Sequence, residues 1–223
     1  MGTFYSPRIV TDGLRLCLDA KNVRSYPGSG TSWYDLSGYG NTCSWNVTPT
    51  WNSSGYFTFD GSSHYGTITN VDSLNFSIEQ TLLIVMRHSY TSGRRNPWDQ
   101  AYGGYGTWTH EQGDNISQYF GDAGGNGSPY IGIGSATTSR NVWNFMCATR
   151  NTSQHKWYLN DSVSNTTAHS YGTLATTSAN IRIGLGYAGY WQGDMAMVMA
   201  YTRALSDAEV QQNFSALRSR FGV

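Results

Sequence analysis

The sequence carries little charge. Charged residues make up 13% of its 223 residues, about half the share of roughly 25% that is usual in globular domains. Basic and acidic residues number 14 each and cancel, and Lys21 and Lys156 are the only lysines. A neutral chain has no net field that would draw it to nucleic acid or to an anionic membrane. We therefore expect neither as a partner.

Long apolar runs are also missing. The longest surround Leu82–Met86 and Met195–Tyr201, far short of the roughly 18 residues that a membrane-spanning helix needs. The N-terminus has no charged start followed by an apolar run, so we expect no secretory signal and synthesis in the cytoplasm.

Cysteine is scarce, and its number is odd. Cys17, Cys43 and Cys147 are widely spaced, and two of them, Cys17 and Cys147, lie in apolar, strand-like runs. This pattern excludes a disulfide scaffold and predicts buried free thiols in a protein made in a reducing compartment. A single disulfide remains the alternative.

Carboxylate pairs for glycoside hydrolysis are hard to find, because the glutamates are limited to Glu79, Glu111 and Glu209. Hydrolysis needs two carboxylates about 5 to 9.5 Å apart, and no Glu-x-Asp-x-Glu pattern occurs. The best pair, Glu111 and Asp114, is typical of a polar loop. We therefore predict no catalytic residues and no enzyme, and a glycan hydrolase is the least favoured alternative.

Cofactor motifs fail as well. The five histidines show no metal-ligand spacing, which argues against a zinc site. Gly184–Gly189 matches the dinucleotide-binding fingerprint, but the fingerprint requires a helix next, and a strand-like segment follows. We interpret these glycines as a turn, and we expect no cofactor.

The residues that are abundant favour strands. The chain has 26 Gly, 16 Tyr and 8 Trp, and short β-branched and aromatic runs alternate with Gly, Ser, Asn and Asp clusters. This periodicity predicts an all-β sandwich. The predicted strands are Gly13–Asp19, Tyr56–Asp60, His64–Thr69, Phe76–Arg87, Tyr105–Thr109, Ile116–Phe120, Tyr130–Gly134, Val142–Arg150, Gln154–Asn160, Asn180–Gly184 and Gln192–Tyr201.

Two of these strands are apolar on both faces and should lie centrally in a covered sheet. One is Phe76–Arg87. In the other, Met195, Met197 and Met199 are predicted to share one face, opposite Ala196, Val198 and Ala200. Because the stripe has period two and its reverse face is apolar, we favour core packing over a methionine-rich binding surface.

A helix is predicted at residues 206–221. Ser206 and Glu209 form a capping box, and Leu205 and Val210 a hydrophobic staple. The apolar residues then recur at spacings of three and four, which suits a helix lying against a sandwich.

One segment mixes aromatic rings with amides and a carboxylate. Such residues can stack on sugars and hydrogen-bond their hydroxyls, but they serve protein contacts or core packing equally well. The candidate ligand-binding residues of this segment are Trp98, Asp99, Tyr102, Tyr105 and Trp108. A second loop offers Asp122 and Asn126 as weak calcium ligands, but with one carboxylate a glycine-rich turn is favoured.

The motifs at both ends of the chain resemble laminin G-like domains of the concanavalin A-like lectin/glucanase superfamily, in the branch found in structural proteins of tailed bacteriophages. The residues that carry the resemblance are Gly13–Ala20, Tyr26–Thr31, Trp33–Asn41, Phe59–Gly61, Trp191–Asp194, Tyr201–Ser206 and Glu209–Val210. Met195 and Ala196 stand where the family often has acidic residues, and the acidic motif of the glucanases is absent.

The resemblance implies one domain, residues 1–223, with an N-terminal arm at 1–12. Its fold would be a concanavalin A-like jelly-roll sandwich of two antiparallel sheets with a short C-terminal helix. Its implied function is that of a virion structural protein, most simply a capsid decoration that adheres to the major capsid protein, to tail proteins or to further copies of itself. The alternative is a glycan-binding module of a tail fibre that recognises a host-surface glycan.

Overall fold

The computed structural model describes residues 7–69, 71–76, 78–100, 107–112, 114–121, 131–170, 173, 177–187 and 189–222. For residues 107–112 and 131–134 it describes the backbone only. Strands dominate this part of the chain. They are β1 Leu14–Asp19, β2 Ser32–Trp33, β3 Cys43–Val47, β4 Thr50–Asn52, β5 Tyr56–Asp60, β6 Tyr65–Ile68, β7 Gln80–His88, β8 Arg94–Asp99, β9 Thr107–Gln112, β10 Asn115–Phe120, β11 Ile131–Thr137, β12 Asn144–Arg150, β13 Gln154–Leu159, β14 Ser162–Ala168, β15 Ile181–Ile183, β16 Leu185–Gly186, β17 Gly189–Tyr190 and β18 Gln192–Tyr201. A 3-10 turn spans Asp72–Leu74, and helix α1 spans Asp207–Phe221.

The strands form two large antiparallel sheets and one small hairpin. The back sheet has the order β14-β13-β12-β7-β18-β5-β4, with β1 also paired to β18. The front sheet has the order β11-β10-β9-β8-β15-β6-β3-β2, and β16 pairs with β17. The predicted sandwich of two antiparallel sheets with a C-terminal helix is therefore confirmed.

Aromatic residues join the two sheets across the inner core. Phe57 on β5 of the back sheet packs edge-on against Trp33 and Trp45 of the front sheet, with ring centroids 5.0 and 4.8 Å apart. Trp33 and Trp45 stack on each other at 5.6 Å. Such ring pairs stabilise a core beyond the apolar area they bury. They fix one end of the sandwich.

The outer face of the back sheet is covered too. Val210, Phe214 and Leu217 of α1 are buried in a second apolar layer together with Leu83 and Val85 of β7. Leu82 and Ile84 face the inner core instead. The prediction that this strand lies centrally and is covered on both faces is confirmed, although β7 begins at Gln80 rather than at Phe76.

A β-bulge changes the predicted methionine face. The pairing of β18 with β7 shifts register between Met195 and Met197. Met195 therefore packs in the inner core with Val198, while Met197 and Met199 pack beneath the helix. The prediction that the three methionines share one face was wrong, because the bulge adds one residue to β18 and reverses the face to which the following side chains point. Core packing of the methionines is confirmed, since all three are buried.

The three cysteines are buried and free, as predicted. Burial raises the pKa of the Cys17 thiol to about 12, with a smaller effect from the neighbouring Asp19. A thiol in such surroundings stays protonated and unreactive at neutral pH.

In the part of the chain that the structure describes, no helix is long and apolar enough to cross a membrane.

The capping box of α1 forms as predicted. The Ser206 hydroxyl accepts the Glu209 amide at 3.3 Å, and the Glu209 carboxylate accepts the Ser206 amide at 2.9 Å. Arg203 holds this carboxylate with two contacts of 2.9 and 2.6 Å. The helix thus starts at a fixed place above the back sheet.

Ser206→Ala removes one side of this box and should lower the free energy of unfolding by about 1 kcal/mol. Urea denaturation measures the loss. Ser219→Ala is the matched control, because Ser219 is exposed near the other end of the same helix, and it should leave stability unchanged or slightly raised. Equal losses in the two variants would contradict the capping role.

Candidate functional site

The outer face of the front sheet carries a row of side chains that is set by strand register. Trp98, Ile183 and Ile68 point into the inner core, so the residues that alternate with them belong to the outer face. Residues directly opposite each other on antiparallel strands share a face. The pairing gives the row Tyr119, Asp99, Arg182, Thr67 and Ser44, and the backbone of Trp108 on β9 lies in register between the first two.

A groove of about 620 Å³ lies over the middle of this row. Its size is within the range of about 300–1,000 Å³ that is usual for small-molecule sites. Two tyrosines, two amides, a threonine, an arginine and a carboxylate contribute to its walls. The lining residues are Asn46, Tyr65, Thr67, Asp99, Ala179, Asn180, Arg182 and Tyr187.

Asp99 lines the groove and is 6% exposed. Its carboxyl group accepts the backbone N–H of Tyr187, while its Oδ1 atom has no hydrogen-bond partner among the described residues. Burial raises the pKa of this carboxyl to about 7, against smaller lowering effects of Arg182 and of the Tyr187 bond. A buried oxygen without a partner is costly, and a ligand hydroxyl would remove that cost.

Arg182 lies directly opposite Asp99 on the neighbouring strand. Its side chain is exposed, and it is absent from the ion pairs found in the described part of the chain. The guanidinium and the carboxylate therefore stand side by side in the groove, each able to bind a further group.

A tight turn brings Tyr187 to the groove. The strands β16 and β17 pair as a hairpin, and Gly184 and Gly189 take positive φ angles of 86° and 127°. Gly186 has a different reason to be glycine, because a Cβ atom there would come within 2.7 Å of the Asp99 Cβ. The prediction that Gly184–Gly189 form a turn is confirmed.

Tyrosine rings and amides complete the rim. Tyr187 is 57% exposed. The half-buried Tyr65 ring packs edge-on against Tyr190, with centroids 6.2 Å apart. The Thr67 hydroxyl donates to the Asn46 side chain, which orients that amide. The rim therefore combines flat apolar rings with polar groups that donate and accept hydrogen bonds.

A family model described as the concanavalin A-like lectin/glucanases superfamily matches residues 60–211, well over half of the chain. The chain belongs to this superfamily. The part matched includes Asp99, Arg182 and both groove tyrosines. No curated protein matches the chain in sequence.

Solved structures with a similar fold include receptor-binding and ligand-binding domains of bacterial toxins. A structure of botulinum neurotoxin type C, described by its dependence on two ganglioside molecules for cell entry, has a TM-score of 0.70 at 12% identity, with 93% of this chain and 52% of that chain covered. The ligand-binding domain of botulinum neurotoxin serotype D, solved with N-acetylneuraminic acid, gives 0.69, 14%, 92% and 51%. The binding domain of Paraclostridial Mosquitocidal Protein 1 gives 0.68, 16%, 92% and 52%. This superfamily member spans about half the length of those structures, and at such identities the likeness shows the fold alone.

The predicted ligand-binding residues that the structure describes do not all lie at the groove. Asp99 lines the groove, and Trp108 lies in register opposite Asp99 on β9. Trp98 is 1% exposed and packs in the inner core, so its ring cannot stack on a sugar. Its inclusion was wrong because neighbouring residues of a strand point to opposite faces. Tyr102 and Tyr105, like the calcium candidates Asp122 and Asn126, lie outside the described residues.

Of the two carboxylates considered for hydrolysis, Asp114 is not part of the described groove lining. Glu111 lies on β9, in register opposite Ile116. Asp114 forms a two-pronged ion pair with Arg140 at 2.7 and 3.1 Å. Within the described ranges, no three His, Cys, Asp or Glu side chains come together as metal ligands would.

A second cavity of about 500 Å³ opens beside the start of α1. Its charged groups already hold each other: Asp207 accepts from Lys156 and from Tyr158, both at 2.7 Å. The groove on the front sheet is therefore the stronger candidate site, because the Asp99 Oδ1 atom in its lining has no hydrogen-bond partner among the described residues.

Asp99→Asn tests the buried carboxyl without a ligand. Between about pH 4, the ordinary value for Asp, and about pH 7, the folded protein keeps a proton that the unfolded chain has released. Stability is therefore lost as the pH rises through this window. The asparagine variant does not titrate, so it should gain stability relative to the natural protein between pH 4 and pH 8, by about 1.4 kcal/mol for each unit of raised pKa.

Denaturant unfolding at both pH values measures this difference. The control is Asp161→Asn, which removes a carboxylate from an exposed position instead of a buried one. A pH-independent difference between the Asp99 variant and the natural protein would contradict the buried, proton-binding carboxyl.

Proposed function

We propose that this chain is a non-enzymatic binding module that holds a carbohydrate in the groove of its front sheet. The observation that carries the proposal is the Asp99 Oδ1 atom, which is buried in the lining of the groove without a hydrogen-bond partner among the described residues. Around it stand groups of the kind that recognise sugars, namely tyrosine rings, amides and a guanidinium.

Each part of the rim suits a sugar ring. Tyr65 and Tyr187 line the groove and offer flat apolar ring faces for the C–H groups of a pyranose. Asn46, Thr67 and Asn180 offer hydrogen-bond donors and acceptors that fix orientation. Ganglioside and N-acetylneuraminic acid named for two structures of the same fold lend support to a binding role.

Hydrolysis of the bound sugar is not part of the proposal. Among the described residues, the groove lining contains one carboxyl group, Asp99, and glycoside hydrolysis takes two that flank the bond. The proposed groove therefore binds without cleaving.

We further propose that this module acts on the surface of a bacteriophage virion. The sequence resemblance to phage structural proteins supports this placement. In that setting the groove would attach the particle to a glycan of the host surface.

Adhesion to other virion proteins is the second candidate, and one surface feature favours it. Val23, Tyr34 and Tyr39 are 71%, 48% and 52% exposed. They lie in two segments that the hydrogen bond from the Tyr34 amide to the Ser25 carbonyl joins at 2.7 Å. Exposed tyrosines suit protein–protein contacts. A decoration protein would make such contacts with the capsid, with the tail or with another copy of itself.

Tyr187→Ala should weaken binding to host surface polysaccharide about tenfold, which corresponds to about 1.4 kcal/mol, because a stacking ring is lost from the rim. Isothermal titration or a pull-down on immobilised polysaccharide measures it. Tyr39→Ala is the matched control, since Tyr39 is a similarly exposed tyrosine that does not line the groove. Failure of the natural protein to bind any host polysaccharide would contradict the carbohydrate proposal.

Electron microscopy of the phage particle, with the chain labelled by antibody, separates the two candidates. Label at a fibre tip is the result expected for the glycan-binding module. Label at symmetry-related positions on the shell, together with loss of attachment in Tyr34→Ala and Tyr39→Ala, would instead support decoration by protein adhesion.

A further inference from the structure

Two charged groups stand in the described lining of the groove, and they have opposite signs. Asp99 and Arg182 occupy directly opposed positions on β8 and β15. They do not approach within ion-pair distance of each other, since neither appears among the described ion pairs. A ligand that enters the groove therefore meets an acceptor-only group on one side and a donor-only group on the other.

We propose that the groove selects a neutral sugar, with adjacent hydroxyls that donate to Asp99 Oδ1 and accept from the Arg182 guanidinium. This inference rests on the carbohydrate binding proposed above and adds the chemical class of the ligand. A hydroxyl suits the pair because it is both a donor and an acceptor. Hydrogen bonds in which the protein group is ionised are also the stronger ones.

Charged sugars fit this pair poorly. The carboxylate of a uronic or sialic acid would gain from Arg182 but would be brought against the Asp99 carboxylate. The ammonium of an amino sugar would gain from Asp99 but would be brought against Arg182. In each case one attraction is offset by one repulsion between like charges, whereas a diol gains from both groups.

Burial makes Asp99 the stricter of the two groups. Arg182 is exposed, so water can satisfy it when no ligand is present, but Asp99 Oδ1 is shielded from water and unpartnered among the described residues. Because water does not reach this oxygen in the free groove, the proposal has the Asp99 carboxyl group turn toward the groove when a sugar hydroxyl binds, and a sugar that lacks the matching hydroxyl leaves the oxygen buried and unpaired. Sites of this kind discriminate strongly against the analogue that lacks the hydrogen-bonding group.

The test compares sugars of one backbone and three charges. The probes are β-1,4-linked oligomers of glucose, glucuronic acid and glucosamine, and a second set with galactose, galacturonic acid and galactosamine in the same linkage; the amino sugars are N-trimethylated, because a quaternary ammonium keeps its positive charge at every pH. Titration calorimetry at pH 8 keeps the Asp99 carboxyl mostly ionised. The expected result is that the neutral member of at least one set binds about tenfold or more tightly than both of its charged counterparts, as loss of a charge-assisted bond implies.

Two variants assign that preference to the two residues. Asp99→Asn should weaken neutral-sugar binding about tenfold and should reduce the difference in affinity between the neutral and the acidic sugar. Arg182→Gln should instead reduce the difference in affinity between the neutral and the amino sugar. Arg94→Gln, on the exposed start of β8 and outside the groove lining, is the matched control and should change neither ratio. A variant that merely perturbed the fold would weaken all three sugars alike.

The outcomes separate this inference from the proposal on which it rests. Binding of an acidic or amino sugar as tight as that of the neutral one overturns the neutral-sugar selection while carbohydrate binding stands. Binding to host polysaccharide with none to either oligomer set overturns the selection as well. If no carbohydrate of any kind binds, both proposals fall.

Discussion

The back sheet is buried on both faces, and the rest of the molecule follows from this constraint. Its central strands β12, β7 and β18 pack against the front sheet on one side and against α1 on the other. Sheets covered on both sides need apolar residues at nearly every position, as in Leu82–Met86. Since the helix occupies the outer side of the back sheet, the outer side of the front sheet is the broad face left for a ligand.

Strand pairing then builds the groove on that face. Each member of the row comes from a different strand, so residues far apart in sequence become neighbours through register alone. Irregular points adjust the fit: β8 contains Pro97, and its pairing with β9 shifts register between Arg95 and Trp98. Proline cannot donate a ladder hydrogen bond, and bulges accommodate it. After the bulge, Trp98 enters the core and Asp99 enters the groove.

The sequence was most informative where local pattern and local structure coincide. The capping box at Ser206 involves only residues that are close in sequence. The apolar composition of β7 likewise indicates that the strand lies centrally in a covered sheet. In contrast, β14 (Ser162–Ala168) was missed because it lies at the edge of the back sheet and is mostly exposed, so burial imposes no alternation on it. The bulge in β18 was missed because the sequence repeat of Met and small residues continues through it.

The candidate site was only partly predictable for the same physical reason. Asp99 was found because aromatic and polar residues cluster locally around it, and Trp98 was wrongly joined to it by the same cluster. Arg182, Tyr65 and Tyr187 were missed, since nothing local links them to Asp99. The alternation of Arg182 between two buried isoleucines marks it as facing outward, but the strand opposite it could be known only from the pairing.

A recognition surface made of outward side chains on paired strands differs from one made of loops in how it can change. At Arg182, Thr67 and Asn46 a substitution alters what the face presents to a ligand, while the alternate residues that hold the sandwich together stay untouched. A lineage carrying this domain could therefore shift from one surface glycan to another by single replacements, with no insertion and no remodelling of the backbone. Asp99 is the exception, because its side chain lines the groove and is also buried. A substitution there would change both the ligand contacts and the packing.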